Sequence, residues 1–367
     1  MPRVKKIFAT AVFHHFTWFG RLRPIPFVQK ILLVHNLYIM IKAGLSLVDA
    51  LRILSEQISH QRLKHMVGEI KAGIEKGRQL SEVLLEFPTV FPSIYVSMIA
   101  AGETAGKLEH ALFQVNEQMK KSHELISRVR SAMIYPAVIL TAMIGVGIEM
   151  VVFVLPKIIV LFKDFNAELP LATRILVAVV TFMEQYGLWV FIGIIITIVT
   201  LVWLERRPTV RQMVHRLNLY LPIAGEIIKK INTATCTLTL SSLLQSTIPI
   251  IDAVQITASV QSNLTYREAL KATAETLKKG EPLSTILGRF PQLFSPMVVQ
   301  MILVGEQSGQ MEQMLAELSA YYTSEVDITM KNFSTIIEPA IIIVLGLAVA
   351  GVAVAVILPM YSLAQNF

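Results

Sequence analysis

The chain has 367 residues and a single cysteine, Cys236. An internal disulfide is therefore impossible, and a thiolate metal site lacks its ligands. Cys236 reads as a small apolar residue. The sequence also lacks an H-E-x-x-H pair, a dinucleotide fingerprint and a serine elbow. With no catalytic constellation, the expectation is a protein that is not an enzyme and holds no cofactor or metal. Charge is scarce as well: Asp, Glu, Lys and Arg make up 16% of the residues, while 54% are hydrophobic. Soluble domains run at about 45–50% apolar even with glycine counted, so the excess must be housed somewhere, in membrane spans or, as the alternative, in buried helices of a large soluble core.

Three segments house it. They are Ala137–Pro156, Leu188–Leu204 and Ala340–Pro359. A membrane-spanning helix needs about 20 predominantly apolar residues. The first and third segments meet that length, and the second does so when Tyr186 and Gly187 are included. Glu149 is the only charge inside a span. An intramembrane acid is costly and a functional suspect, but its counterpart by repeat is Val352 and no basic residue lies in the spans, which excludes a proton relay. Glu149 faces either the protein interior or a partner's cation. The N-terminus, MPRVKKIFATAVFHHFTWFGRLRPIPF, is basic and aromatic. It has no small-residue cleavage site, and its readings are an arm on an anionic membrane surface or a disordered arm.

The stretch GETAGKLE, from Gly102 to Glu109, poses the question of a phosphate-binding loop. That loop needs four residues between its glycines and a Ser or Thr after the lysine. Here three residues separate Gly102 from Gly106, and Leu108 follows Lys107. A second stretch, GEQSGQMEQ from Gly305 to Gln313, has the same G-E-x-x-G-x-x-E frame without the lysine. The frame belongs to an internal repeat. At an offset of 203 the chain aligns with itself without a gap from about Asp49 to Pro156. Asp49 falls on Asp252, Lys76-Gly77 on Lys279-Gly280, Phe87-Pro88 on Phe290-Pro291, Glu103 on Glu306 and Pro136 on Pro339. Each copy is a polar region followed by one apolar span.

The middle span has no counterpart in the repeat. One extra crossing returns the chain, so both polar regions face the same compartment and the copies run parallel. Up to Pro136 there are 18 Lys and Arg against 10 Asp and Glu. Arg128 and Arg130 flank the first span, and Arg206 and Arg207 the second. Positive residues near span ends stay cytoplasmic, which places both polar regions in the cytoplasm and the C-terminus outside.

Both polar regions read as helical. Leu108, Leu112, Val115, Met119 and Ile126 share one face, as do Met311, Leu315, Leu318 and Tyr322 in the second copy. Gly77 and Gly280 suit helix C-caps. Ser81 and Ser284 suit N-caps, and Ser295-Pro296 an N-cap and first helical position. In the repeated motif, Gly102 and Gly305 are expected to end one helix and Gly106 and Gly309 to turn into the next. Glu109 and Glu312 fall in the first turn of that next helix, against the positive end of its dipole. Glu103 and Glu306 face free N–H groups in the turn. Beside this turn chemistry stand two rivals: a contact site for a partner protein, and a metal site shared between copies or subunits. Asp49 and Asp252 divide in the same way between first-turn caps and interaction residues.

The paired GE-x-x-G-x-x-E motifs, the repeated Phe-Pro segments and the layout of two spans plus one resemble the type II secretion system F family (GspF/PilC), over roughly Leu32 to the C-terminus. Thr247, where copy one has Gly44, is a departure. The resemblance implies a non-enzymatic inner-membrane platform of a type IV pilus or type II secretion machine. Its implied partners are a cytoplasmic assembly ATPase, pilin or pseudopilin subunits, other inner-membrane assembly proteins, membrane lipid and further copies of itself, with no nucleic acid. A subunit of a membrane transporter or channel is the alternative. The expected architecture is an all-α membrane protein with two tandem cytoplasmic helical-bundle domains and three transmembrane helices. In order these are a basic arm (1–30), a first cytoplasmic domain (31–135), a span (136–156), an external loop (157–185), a second span (186–204), a second cytoplasmic domain (205–338), a third span (339–359) and an external tail (360–367). The expected location is the bacterial inner membrane, with a cytoplasmic N-terminus and a periplasmic C-terminus.

Overall fold

A computed structural model describes residues 25–154, 171–205 and 207–365. Fourteen α-helices and no strands occur among them. The first copy contains α1 (Phe27–Lys42), α2 (Leu47–Gln57), α3 (Gln61–Glu75), α4 (Leu80–Leu84), α5 (Ser93–Thr104) and α6 (Leu108–Glu149), the last followed by a π-helical turn at Met150–Val154. Then come α7 (Leu171–Glu205) and α8 (Pro208–Asn218). The second copy contains α9 (Ala224–Gln245), α10 (Ile250–Val260), α11 (Leu264–Leu277), α12 (Leu283–Leu287), α13 (Pro296–Ser308) and α14 (Met311–Gln365). Leu47 and Ile250, Gln61 and Leu264, Leu80 and Leu283, Ser93 and Pro296, and Leu108 and Met311 begin equivalent helices, each pair 203 residues apart.

The chain divides into two compact units. One gathers the helical residues up to Ile126 with Leu221–Glu325, and so takes in the polar parts of both copies. The other gathers Ser127–Tyr220 with the chain from Val326 onward. Each copy in the first unit has its own core. Leu51, Leu54, Ile70, Leu80, Ile99 and Leu112 are buried in copy one, and Val254, Leu270, Leu283, Ile302 and Leu315 in copy two. Burial of each such side chain is worth about 1.5–3 kcal/mol, which offsets the cost of ordering helices too short to be stable alone. The copies are joined through α5, which packs on α9 and α10. A buried bond from Ser242 Oγ to Gln118 Oε1 (2.5 Å) and a contact between the Ser93 and Ser259 hydroxyls (3.1 Å) tie them further.

In the second unit, α6 runs through Pro136 without a break. Proline has no N–H to donate and its ring crowds the carbonyl four residues back, which here belongs to Ala132. That carbonyl accepts a hydrogen bond from Ser334 Oγ at 3.1 Å. Ser334 lies on α14 and stands equally close to Met330 O of its own helix (3.1 Å), so its one proton is shared between the two helices. Asp327 binds Arg128 across the same pair at 4.0 Å and Lys331 on its own helix at 3.0 Å. Helices α6 and α14 are long and apolar enough to cross a membrane, α14 over Met311–Gly351. Helix α7 carries a shorter apolar stretch at Gln185–Thr197.

Several boundaries differ from the reading of the sequence. Helix α7 starts at Leu171, so the C-terminal half of the segment read as an external loop is helical; the run LATRILVAVVTFMEQ is rich in helix formers and has no breaker. Helix α14 continues past Pro359 to Gln365 and absorbs most of the segment read as a tail. The arm as far as residue 24, the loop over 157–170 and the last two residues lie outside the described residues.

Gly44 closes α1 with φ +87°, its N–H bonded to Ile41 O (2.9 Å) and the Leu45 N–H to Met40 O (3.1 Å). This paired pattern is a Schellman cap. Thr247 closes α9 with the same two bonds, to Leu244 O and Leu243 O, at φ +61°. A β-branched residue there carries steric strain of about 1–2 kcal/mol. Thr247→Gly is expected to stabilise the protein by about 0.5–1 kcal/mol, the strain relieved less the entropy that glycine loses on folding. The check is thermal unfolding in detergent. Ser334→Ala, which strands the Ala132 carbonyl, is expected to cost about 1–2 kcal/mol by the same assay.

Candidate functional site

The duplicated motif builds one arrangement in each copy. Helix α4 is five residues long and cannot satisfy its own first N–H groups. Its N-cap residue, Gln79, makes no side-chain cap bond. The cap comes from Glu103, on α5. Leu80 N–H donates to Glu103 Oε1 at 2.6 Å and Ser81 N–H to Oε2 at 3.0 Å. In copy two, Leu283 N–H donates to Glu306 Oε1 at 2.5 Å and Ser284 N–H to Oε2 at 3.2 Å. The Ser284 hydroxyl donates to that second oxygen as well. A carboxylate is well placed here, because helix N-termini carry partial positive charge and bonds to a charged acceptor are strong.

This corrects two expectations. Ser81 and Ser284 are not N-caps; they are the second residues of α4 and α12, behind Gln79 and Pro282. Glu103 and Glu306 do bind free N–H groups, but those of a helix 22 to 23 residues upstream rather than of their own turn. Both oxygens of each carboxylate are engaged inward.

The glycines have separate duties. Gly102 and Gly305 do not end their helices; they lie inside α5 and α13. A Cβ on Gly102 would sit 2.2 Å from Ala111 Cβ on α6, and one on Gly305 would sit 3.1 Å from Met311 Cα on α14. They let consecutive helices approach closely. Gly106 (φ +66°) and Gly309 (φ +69°) make the turn. At Gly106 the bonds from Gly106 N–H to Glu103 O (3.1 Å) and from Lys107 N–H to Gly102 O (2.7 Å) form a Schellman cap. Glu109 and Glu312 fall in the first turns of α6 and α14, exposed to solvent.

A pair of exposed ion pairs brackets the short helices. Arg78 meets Glu86 at 2.7 Å in copy one, and Arg289 meets Glu281 at 2.5 Å in copy two. Arg78 is equivalent to Glu281 and Glu86 to Arg289, so the pair is kept with its polarity reversed. Aligned residue by residue these positions look like mismatches. Only the contact shows that both changed together.

The two aspartates are placed differently. Asp49 is in the first turn of α2, where its N–H donates to the Ser46 hydroxyl (3.1 Å) and its carboxylate accepts from that hydroxyl (2.6 Å) and meets Arg52 (3.4 Å). The Ser46 bond, then Arg52, holds its carboxyl below the usual range. Asp252 is in the first turn of α10 and lines an open groove of about 390 Å3 between the copies, with Ser97, Ala100, Ile248, Gln255 and Ile256. Glu149 ends α6 beside the π-helical turn, exposed. Among the described residues no group of three or more His, Cys, Asp or Glu side chains could hold a metal ion. The motif therefore does not bring its acids into one cluster; it distributes them, one to each cap or helix start.

An internally duplicated helical protein whose copies each run directly into a membrane-length helix defines the class. A model of the family described as "Type II secretion system (T2SS), protein F" matches residues 33–156 and 237–359, the two copies each with its apolar helix. The chain belongs to that family. It is 34% identical to the type IV pilus assembly protein PilC of Myxococcus xanthus over 89% of this chain and 78% of the relative. It is 31% identical to PilC of Thermus thermophilus over 88% and 80%. Against the type II secretion system protein F of Vibrio cholerae it is 30% identical over 90% and 82%.

Glu103→Ala and Glu306→Ala are each expected to destabilise the protein by about 2 kcal/mol or more, since two N–H groups lose a charged acceptor. Glutamine keeps one acceptor oxygen and should cost less. Thermal unfolding of the four single variants in detergent checks the order. Gly102→Ala should cost about 1–3 kcal/mol through overpacking against Ala111.

Proposed function

We propose that this protein is the inner-membrane platform of a type IV pilus or type II secretion assembly machine, a non-enzymatic scaffold between a cytoplasmic assembly ATPase and pilin-like subunits in the membrane. The observation that carries this reading is the coincidence of the two family-matched segments with the two structural copies, each including its own apolar helix. The cytoplasmic unit offers a rigid helical surface to a soluble motor. The apolar helices offer faces to membrane partners, with Gly145, Gly147, Gly346 and Gly351 open on their surfaces for close helix approach.

Three crossings fit the duplication. Helix α7 between the copies has the composition of a span from Tyr186 to Leu204, and its outward side chains are apolar, among them Leu188, Phe191, Ile194 and Val199. With α6, α7 and α14 all crossing, the cytoplasmic unit assembles on the side marked by Arg128, Arg130 and Arg207, and the chain ends in the periplasm.

The test combines two readouts. A tagged copy complementing a deletion strain, solubilised in mild detergent, is expected to co-purify with a secretion-type ATPase and pilin-like subunits. Alkaline phosphatase joined after Gln365 is expected to be active, and joined after Lys279 inactive. Survival of filaments or secretion in the deletion strain would sink the platform reading. Phosphatase activity after Lys279 would sink the topology alone.

A further inference from the structure

Helix α8, Pro208–Asn218, follows α7 after two residues. Its sequence, PTVRQMVHRLN, sets Val210, Met213, Val214 and Leu217 at intervals of three and four. They fall within an arc of about 100° on the helix surface. In a soluble bundle such a stripe is buried against other helices. Here Val210 and Val214 are half-buried, but Met213 is 72% exposed and Leu217 59%, and Tyr220 just beyond the helix is 60% exposed. Arg211 and Arg216 stand on opposite flanks of the stripe, each about 60° from its edge. Basic residues at both edges of an apolar face suit a helix lying in a lipid headgroup layer, where the apolar side chains enter and the arginines reach the phosphates.

The neighbouring chain points the same way. Helix α7 ends at Glu205, and Arg207 lies over the Trp203 ring at 4.8 Å. A tryptophan with a stacked arginine at the end of an apolar helix suits the membrane–water boundary. With two linking residues, the Cα atoms of Glu205 and Pro208 stand at most about 11 Å apart, so α8 starts at the headgroup level if α7 crosses the membrane.

We propose that α8 is an interfacial anchor that lies on the cytoplasmic leaflet, with Met213 and Leu217 among the lipid chains and Arg211 and Arg216 on anionic headgroups. The proposal rests on the three-crossing reading of α7. It gives the protein a lipid-charge-dependent element between its second crossing and its second copy, at the point where α9 leaves for the cytoplasmic unit.

The experiment uses the full chain in nanodiscs of phosphatidylcholine alone or with about 30% phosphatidylglycerol. Single-cysteine variants Met213→Cys, Leu217→Cys and Gln212→Cys carry a polarity-sensitive fluorophore, and Trp189→Cys marks the crossing. The native Cys236 is buried, its thiol pushed up to about 12 by that burial, and stays silent to labelling. Spin-labelled lipids then quench from the headgroup boundary or from the chain ends. The expected result is boundary quenching at positions 213 and 217 about threefold stronger than at position 212, falling about twofold in phosphatidylcholine alone or with Arg211→Gln plus Arg216→Gln. Equal quenching at all three positions, indifference to lipid charge, or probes at 213 and 217 shielded by protein rather than lipid would overturn it. With the position-189 probe quenched from the chain ends, such a failure is that of α8 alone. A position-189 probe beyond reach of those quenchers would overturn the three-crossing reading and this proposal together.

Discussion

The contact on which each copy depends is the bond between one carboxylate and two backbone N–H groups some twenty residues upstream. A five-residue helix has no stability of its own, because nearly all of its N–H and C=O groups are terminal. Glu103 holds α4 in place through Leu80 and Ser81, and Glu306 holds α12 through Leu283 and Ser284. The same helix that carries each glutamate also carries, one residue earlier, the glycine that admits the next long helix. Two adjacent residues thus fix the helix behind and the helix ahead. Three residues beyond the glutamate, Gly106 and Gly309 provide the left-handed turn between those helices.

This explains why the motif occurs twice with the same spacing while much of the surrounding sequence has diverged. Its parts are backbone-directed: a carboxylate for N–H groups, a missing Cβ, and a positive φ. Side-chain contacts have been free to change as long as both partners changed. The Arg78–Glu86 pair and its reversed equivalent, Arg289–Glu281, show such exchange. Exposed pairs of this kind are worth about 1 kcal/mol or less, so reversal costs little. At the junction between the copies the equivalence is broken outright. Helix α5 of the first copy packs on α10 of the second, and the aspartate that is bound to Ser46 and Arg52 in copy one lines a groove in copy two.

The two long helices, α6 and α14, each run without a break through a proline, Pro136 and Pro339. At Pro136 of α6, Ser334 of α14 offers its hydroxyl to the carbonyl that the proline leaves without a backbone donor. A proline in a single helix is a kink site; between two helices it becomes a place where they are stitched.

The sequence by itself determined the helical class, the duplication, the long apolar segments and the locations of the turns. Those are local properties, set by hydrophobic period, glycine and proline, and they repeat at a fixed offset of 203 residues. Family membership was legible for the same reason. What the glutamates bind was not, since capping by sequence neighbours and capping from a separate helix leave the same residue in the same place; Ser81 was the nearer candidate and the wrong one. Nor could the sequence tell that Gly102 lies inside a helix rather than at its end, because a glycine that turns the chain and a glycine that admits a neighbour look alike until the neighbour is present. The Ala132–Ser334 contact, the swapped ion pair and the exposure of Met213 and Leu217 on α8 are likewise tertiary facts. Each depends on which surfaces meet, and that is settled only when the helices are packed.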